Sequence, residues 1–265
     1  MERKTIESQL AGHALTTAAD DLPYDGVPMM PDAKVIKIGG QSIMDRGRAA
    51  LFPLIEEIAA AKERHMIFIG AGGGTRARHI YWIASDLEMP TGVLAALGGY
   101  VPMQNARMLQ MLLARHGGIY VMHDDFEKLP LYFRLGCIPI MTGMPPFGYW
   151  EKPSEEGRIP PNRTDAGVYL AAEALGARRV IFVKDEDGLY ADDPKKKPGV
   201  ELIRRIGARE LIARDLPDLI VERVVLEYLT RARYTHEVQV VNGLERGALT
   251  RALEGEDVGT IIYQD

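Results

Sequence analysis

The sequence predicts an α/β fold: a three-layer α/β/α sandwich with a mostly parallel central sheet. Three observations carry this. Short runs of branched apolar residues alternate along the chain with longer amphipathic runs, the pattern of strands alternating with helices. Two of the strands, near Val35 and Met66, open directly into glycine turns. With 265 residues, 46% hydrophobic and 26% charged, the chain can bury a large core without help from metals or disulfides.

Residues 1–31 read as an N-terminal arm. Its end, DLPYDGVPMMPD, holds three prolines and suits an extended segment, with Leu22, Tyr24, Val27 and Met29 apolar enough to dock on a neighbour. Strand 35–38 leads to a helix over 48–63, where Leu51, Leu54, Ile55 and Ile58 stand at helical spacing. Strand 66–69 and its glycine turn follow, then a helix over 75–86. A further helix over 101–115 carries a core stripe of Met103, Ala106, Leu109, Leu112 and Leu113.

Strands are expected at 118–122 and 137–142. Between Thr142 and Arg163 lies a loop rich in proline and glycine, long enough to expect a functional role. The run TDAGVYLAAEALGA reads as a helix capped by Thr164 or Asp165. Strands at 180–183, 237–241 and 260–262, with helical GALTRALEG between the last two, complete the reading.

The net charge of −5 argues against nonspecific nucleic-acid binding. No window reaches the apolar length of a membrane span, and no signal peptide is legible, so a cytoplasmic protein is expected. Cys137, the single cysteine, has no partner for an internal disulfide and reads as a small core residue.

The candidate site begins at VIKIGGQS, residues 35–42. Backbone amides at a glycine turn entering a helix attract an anion, and Lys37 extends that preference to a polyanion. Read alone, the stretch is equally a structural turn. GAGGGTRARH places Gly70, Gly72, Gly73 and Gly74 before Arg76 and Arg78; it fits neither the dinucleotide fingerprint nor a P-loop. Two such turns after parallel strands share one carboxyl edge, where these folds bind ligands. Lys184, ending a strand before DEDGLYADDP, supplies a second cation, and Asp165 is a carboxylate placed to orient both lysines.

The Lys37–Gly40 run, the turn at 70–74, Arg163-Thr-Asp165 and the segment 184–194 resemble, in order and spacing, the amino-acid kinase superfamily and its uridylate-kinase branch. The resemblance spans 32–265 and implies a single domain of amino-acid kinase fold that binds MgATP. Carried onto this sequence, it implies that Lys37 and Lys184 hold phosphates with Asp165 organising them. Gly39, Gly40, Gly72 and Gly73 would donate amides, with Arg76 beside them, while Asp187, Tyr190 and Asp193 would border the adenosine.

Where uridylate kinases carry a Thr-Asp pair and a Met-Gly-Met run, this chain has Gly98-Gly-Tyr-Val-Pro-Met103. The proline-rich loop replaces their Gly-Thr-Gly-Asn segment. An acceptor site so changed is not suited to UMP. The runs IKIGGQSIMDRGRAA, GMPPF, IPPNRTDAG, FVKDEDGLYADDP and EVQVVNGL are similar instead to the molybdenum storage family, and to its β-type subunits in particular. That resemblance implies intracellular storage of molybdate or polyoxomolybdate clusters, with tungstate as an analogue, in a hexameric cage. The cage would be a homohexamer or an α3β3-like assembly with a homologous α-type subunit, loaded at the expense of ATP. The histidine run of α-type subunits is absent at Phe147–Trp150. The resemblance implies that the region after strand 118–122 faces the cage, which makes His123 the candidate contact to the oxomolybdate cluster; the alternative reading is a capped or buried histidine. The alternatives are a uridylate-kinase-like enzyme that phosphorylates a small acceptor and a regulatory ATP-binding subunit.

Overall fold

The computed structural model describes residues 27–155, 157–191, 199–216 and 219–265. Ten strands are present among them: β1 (Lys34–Ile38), β2 (Ile67–Ala71), β3 (Gly118–Tyr120), β4 (Ile138–Thr142), β5 (Arg179–Lys184), β6 (Leu189–Tyr190), β7 (Leu202–Ile203), β8 (Arg205–Gly207), β9 (Glu237–Asn242) and β10 (Thr260–Tyr263). Eight of them form one sheet in the order β3-β4-β2-β1-β5-β9-β10-β8, while β6 and β7 form a separate antiparallel pair. Every pairing in the large sheet is parallel except β9 with β10.

The helices are α1 (Arg48–Ala61), α2 (Gly74–Asp86), α3 (Thr91–Leu113), α4 (Leu129–Arg134), α5 (Thr164–Leu175), α6 (Ala208–Ala213), α7 (Arg223–Leu229) and α8 (Ala248–Leu253). They cover both faces of the sheet. On one face, Ile36 and Ile38 of β1 and Ile181 and Val183 of β5 pack against Leu51, Leu54 and Ile58 of α1, Leu109 of α3 and Leu249 of α8. On the other, Val35, Val180 and Phe182 meet Val168, Tyr169 and Leu175 of α5 and Val225 and Leu229 of α7. Each fully buried side chain of this size contributes roughly 1.5–3 kcal/mol. The expected three-layer fold is therefore present, and no described helix is long and apolar enough to cross a membrane.

Three expectations are corrected. First, the helix expected from 101 begins at Thr91, because Gly98 and Gly99 are not a turn. A Cβ on Gly98 would lie 2.3 Å from the Tyr81 ring, so this glycine lets α2 and α3 approach closely. Second, neither Thr164 nor Asp165 caps α5. Its N-cap is Arg163, and the capping carboxylate comes from Glu222. Third, Cys137 is half-buried rather than enclosed in the core. Of the arm residues, Val27 and Met29 are exposed on this chain, Met30 is buried with its N–H donating to Leu175 O at 2.7 Å, and Leu22 and Tyr24 lie outside the described residues.

Candidate functional site

Strand alternation aims the two lysines. In β1, Val35 and Lys37 face the α5 side while Ile36 and Ile38 face α1. In β5, Val180 and Phe182 face the α5 side, so Lys184, two residues on, does too. The register sets Lys37 beside Phe182 on the neighbouring strand. Both ammonium groups thus emerge at the carboxyl edge, over the first turn of α5.

Asp165 stands there, 3% exposed. Its Oδ1 lies 2.5 Å from Lys37 Nζ, and its Oδ2 lies 3.0 Å from Lys184 Nζ. Burial alone would raise its pKa. The Lys184 and Lys37 ammoniums outweigh that and hold the carboxyl well below the usual carboxylate range. Burial pushes the Lys184 ammonium below its ordinary value, against the pull of Asp165. Both lysines border the opening.

The glycine turns close over this triad from β1 and β2. A Cβ on Gly40 would sit 2.1 Å from Gly74 N, and one on Gly72 would sit 2.4 Å from Gly40 N, so the turns touch backbone to backbone. Of the four amides expected to face a ligand, two are already spent: Gly39 N–H donates to Val183 O at 3.0 Å and Gly72 N–H to Ile38 O at 2.9 Å. Gly40 and Gly73 instead line the cavity.

Arg76 is likewise redirected. Its guanidinium donates to Gln104 Oε1 at 3.0 Å and to Asn105 Oδ1 on α3, away from the cavity, and the arginine that lines the cavity is Arg78. Buried Asn105 passes the support on, its Nδ2 donating to Gly72 O at 2.6 Å and Gly73 O at 3.2 Å. The α2 N-terminus is occupied by the chain itself, since Asp45 Oδ2 accepts from Thr75 N at 2.6 Å.

The resulting cavity, about 750 Å³, is bordered by Lys37, Asp165, Lys184 and the glycine turns, by Arg46 and Asp185 paired at 2.5 Å, and by Tyr81 and Met144. Burial pushes the Tyr81 hydroxyl up to about 12, so at neutral pH it keeps its proton and donates toward Met144 Sδ at 3.9 Å. From the long loop, Met144 and Arg163 reach the cavity; Tyr149 and Trp150 are exposed.

Asp187 lies beyond Lys184, accepting from Asn242 Nδ2 at 2.7 Å and from the Tyr190 hydroxyl at 3.2 Å. Neither Asp187 nor Tyr190 borders this cavity, and Asp193 lies outside the described residues. His123 follows β3 at the sheet edge, with β4 and β2 between it and β1. Its side chain is half exposed and sits 3.5 Å from Asp124 Oδ1, so it is neither buried nor near the lysines. No group of three or more His, Cys, Asp or Glu suited to a metal ion occurs among the described residues.

Glu222, just ahead of α7, is the site residue that sequence reasoning missed. Its carboxylate accepts from the amides of Arg163, Asp165 and Ala166, each at 3.1 Å, and its own N–H donates to Asp165 Oδ2 at 3.3 Å. Burial, and then the Asp165 charge, raise its pKa. No local pattern announces a partner 57 residues away.

Residues 32–224 match the amino acid kinase family. Over 262 residues, 99% of this chain and 94% of the relative, the chain is 50% identical to a protein named molybdenum storage protein subunit beta from Azotobacter vinelandii. It is 31% identical to a uridylate kinase of Pyrococcus abyssi over 67% of this chain and 73% of that one. Among solved structures, the UMP kinase of Ureaplasma parvum superposes with a TM-score of 0.68 at 20% identity, covering 89% of this chain and all of the other.

Proposed function

The chain belongs to the amino acid kinase family, and from that premise we propose that it is a molybdenum storage subunit that holds MgATP between Lys37 and Lys184 and uses it in loading oxomolybdate into a cage. The observation that carries storage over kinase chemistry is the match to a storage-protein β subunit, sustained at half identity along nearly the whole chain.

The residues present fit a nucleotide polyphosphate. Two buried ammoniums share one carboxylate, and Gly40 and Gly73 border the same opening. In this reading Lys37 and Lys184 take the phosphate charge, Asp165 keeps both lysines extended and charged, and Arg78 neutralises the outer phosphate. Asp187 and Tyr190, beyond Lys184 and outside the phosphate cavity, would border the adenosine. Asp45 and Asp185 are engaged by Thr75 N and Arg46, so Mg²⁺ would be held chiefly through the nucleotide and would supply charge neutralisation of its phosphates. Hydrolysis of the bound ATP to ADP and phosphate would supply the free energy for loading.

The cargo is a tetrahedral dianion, molybdate or its near-isostere tungstate, that condenses to larger oxoanions. Such clusters are met by amides, a few cations and imidazoles rather than by one fixed ligand set. His123, exposed after β3, is the imidazole offered to them. The cage is completed by a homologous α-type subunit in an α3β3-like hexamer, or by further copies of this chain.

The test is elemental analysis of protein incubated with MgATP and molybdate and then desalted. More than one molybdenum atom per chain is expected, and retention below one per chain overturns storage. ADP release stimulated by UMP far more than by molybdate would assign the chain to the kinases instead.

A further inference from the structure

Asp165 and Glu222 are bound to each other twice, in opposite senses. The Asp165 N–H donates to Glu222 Oε1 at 3.1 Å, and the Glu222 N–H returns a bond to Asp165 Oδ2 at 3.3 Å. The second Glu222 oxygen takes the amides of Arg163 and Ala166, both at 3.1 Å, and Arg163 Nε lies 3.6 Å from Oε1. Three of the amides that open α5 are therefore satisfied by one carboxylate delivered from a different element. That element is itself fixed, because Val225, Leu226 and Leu229 of α7 are buried against the sheet.

Placing a second carboxylate beside Asp165 costs electrostatic energy. A helix cap alone does not require that neighbour, since a Ser or Thr side chain caps a helix without charge. The arrangement instead holds Asp165 by its backbone and its side chain together, at the point where its two oxygens must meet two lysines from different strands. Glu222 lines the same cavity as those lysines.

We infer that Glu222 is a positioning residue of the anion site: by capping α5 and returning its own N–H to Asp165, it holds the Asp165 carboxylate between Lys37 and Lys184 and so presents both ammoniums to a polyphosphate. The inference rests on the nucleotide reading above. It separates Glu222 from a residue that merely stabilises the fold, because a loosened Asp165 carboxylate no longer holds both ammoniums at once and lets them leave the opening.

Glu57 provides the internal control. Its carboxylate accepts from Gly247 N and Thr250 N, both at 2.9 Å, and so caps α8 from a distance in the same manner, away from the cavity. MgATP affinity is measured by calorimetry on the full chain, beside melting temperature without ligand, for the wild type and for Glu222→Ala, Glu222→Gln, Glu57→Ala and Lys37→Ala. Glu222→Ala is expected to raise the MgATP Kd about tenfold, which corresponds to about 1.4 kcal/mol. Glu222→Gln keeps the shape and one acceptor oxygen and is expected to recover part of that loss, whereas Glu57→Ala lowers the melting temperature and leaves Kd unchanged. Should Glu222→Ala not fold, a several-fold rise in Kd for Glu222→Gln supports the inference and an unchanged Kd overturns it. Equal weakening by Glu57→Ala also overturns it. If Lys37→Ala loses affinity while both Glu222 variants keep it, this inference fails alone; if Lys37→Ala binds as the wild type does, the nucleotide reading fails with it.

Discussion

Lys37 and Lys184 share a single counter-ion, Asp165, whose two oxygens lie 2.5 Å from one ammonium and 3.0 Å from the other. With Glu222 and Arg163 counted, three cations face two carboxylates, and the cluster is incompletely neutralised. An added polyanion therefore relieves a charge imbalance that the fold maintains at some cost to its stability.

Asp165→Asn leaves both ammoniums buried without their anion. A loss of about 3 kcal/mol in unfolding free energy is expected, in the range for breaking a buried ion pair from one side. Chemical denaturation with and without MgATP checks it. The nucleotide should also stabilise the variant, by restoring negative charge to the lysines.

The pH dependence of stability carries the sign of Glu222. Its pKa is raised in the folded state, so just above the ordinary carboxylate value of about 4.3 the folded chain holds a proton that the unfolded chain releases. The stability this contributes is complete below that ordinary value and is lost as pH rises through the folded one. Subtracting the Glu222→Gln stability curve from that of the wild type should reveal a downward slope with rising pH over that window. A flat difference would remove the assignment of the shift to Glu222.

Gly40→Ala drives a methyl group against Gly74 N and Cα, backbone atoms that cannot swing aside. The expected cost is about 1–3 kcal/mol, together with loss of MgATP binding, because the two glycine turns must separate. Melting curves and calorimetry on the same preparation check both effects.

Arg78 and Arg76 should divide cleanly. Arg78→Ala, at the cavity, is expected to weaken MgATP several-fold with little change in melting temperature. Arg76→Ala, which frees Asn105 and through it the glycine turn, should lower the melting temperature by about 2–4 °C, the shift for roughly 1 kcal/mol in a chain of this size.

The triad and the fold were legible because period-two alternation and glycine turns are local signals. Parallel strands share one carboxyl edge, which let Lys37 and Lys184 be placed together, and Leu51, Leu54, Ile55 and Ile58 of α1 are buried as their spacing implied. What escaped the sequence reading depends on contacts distant in the chain. The need for glycine at 98 comes from the Tyr81 ring on the neighbouring helix. Arg76 and Arg78 are equivalent in sequence, and only Asn105 on α3 separates their roles. The caps of α5 and α8 come from Glu222 and Glu57, far along the chain from the helices they serve. The short elements β6, β7, β8, α4, α6 and α7 span two to seven residues, too few for periodicity to register.

Storage remains the central claim, and anomalous X-ray scattering at the molybdenum edge tests it most directly, on crystals grown from this chain with MgATP and molybdate. The account predicts clustered anomalous peaks, more than one molybdenum per chain, in an enclosed space between subunits, with nucleotide phosphates between Lys37 and Lys184. Crystals that show ordered nucleotide at those lysines but no anomalous peaks would contradict it.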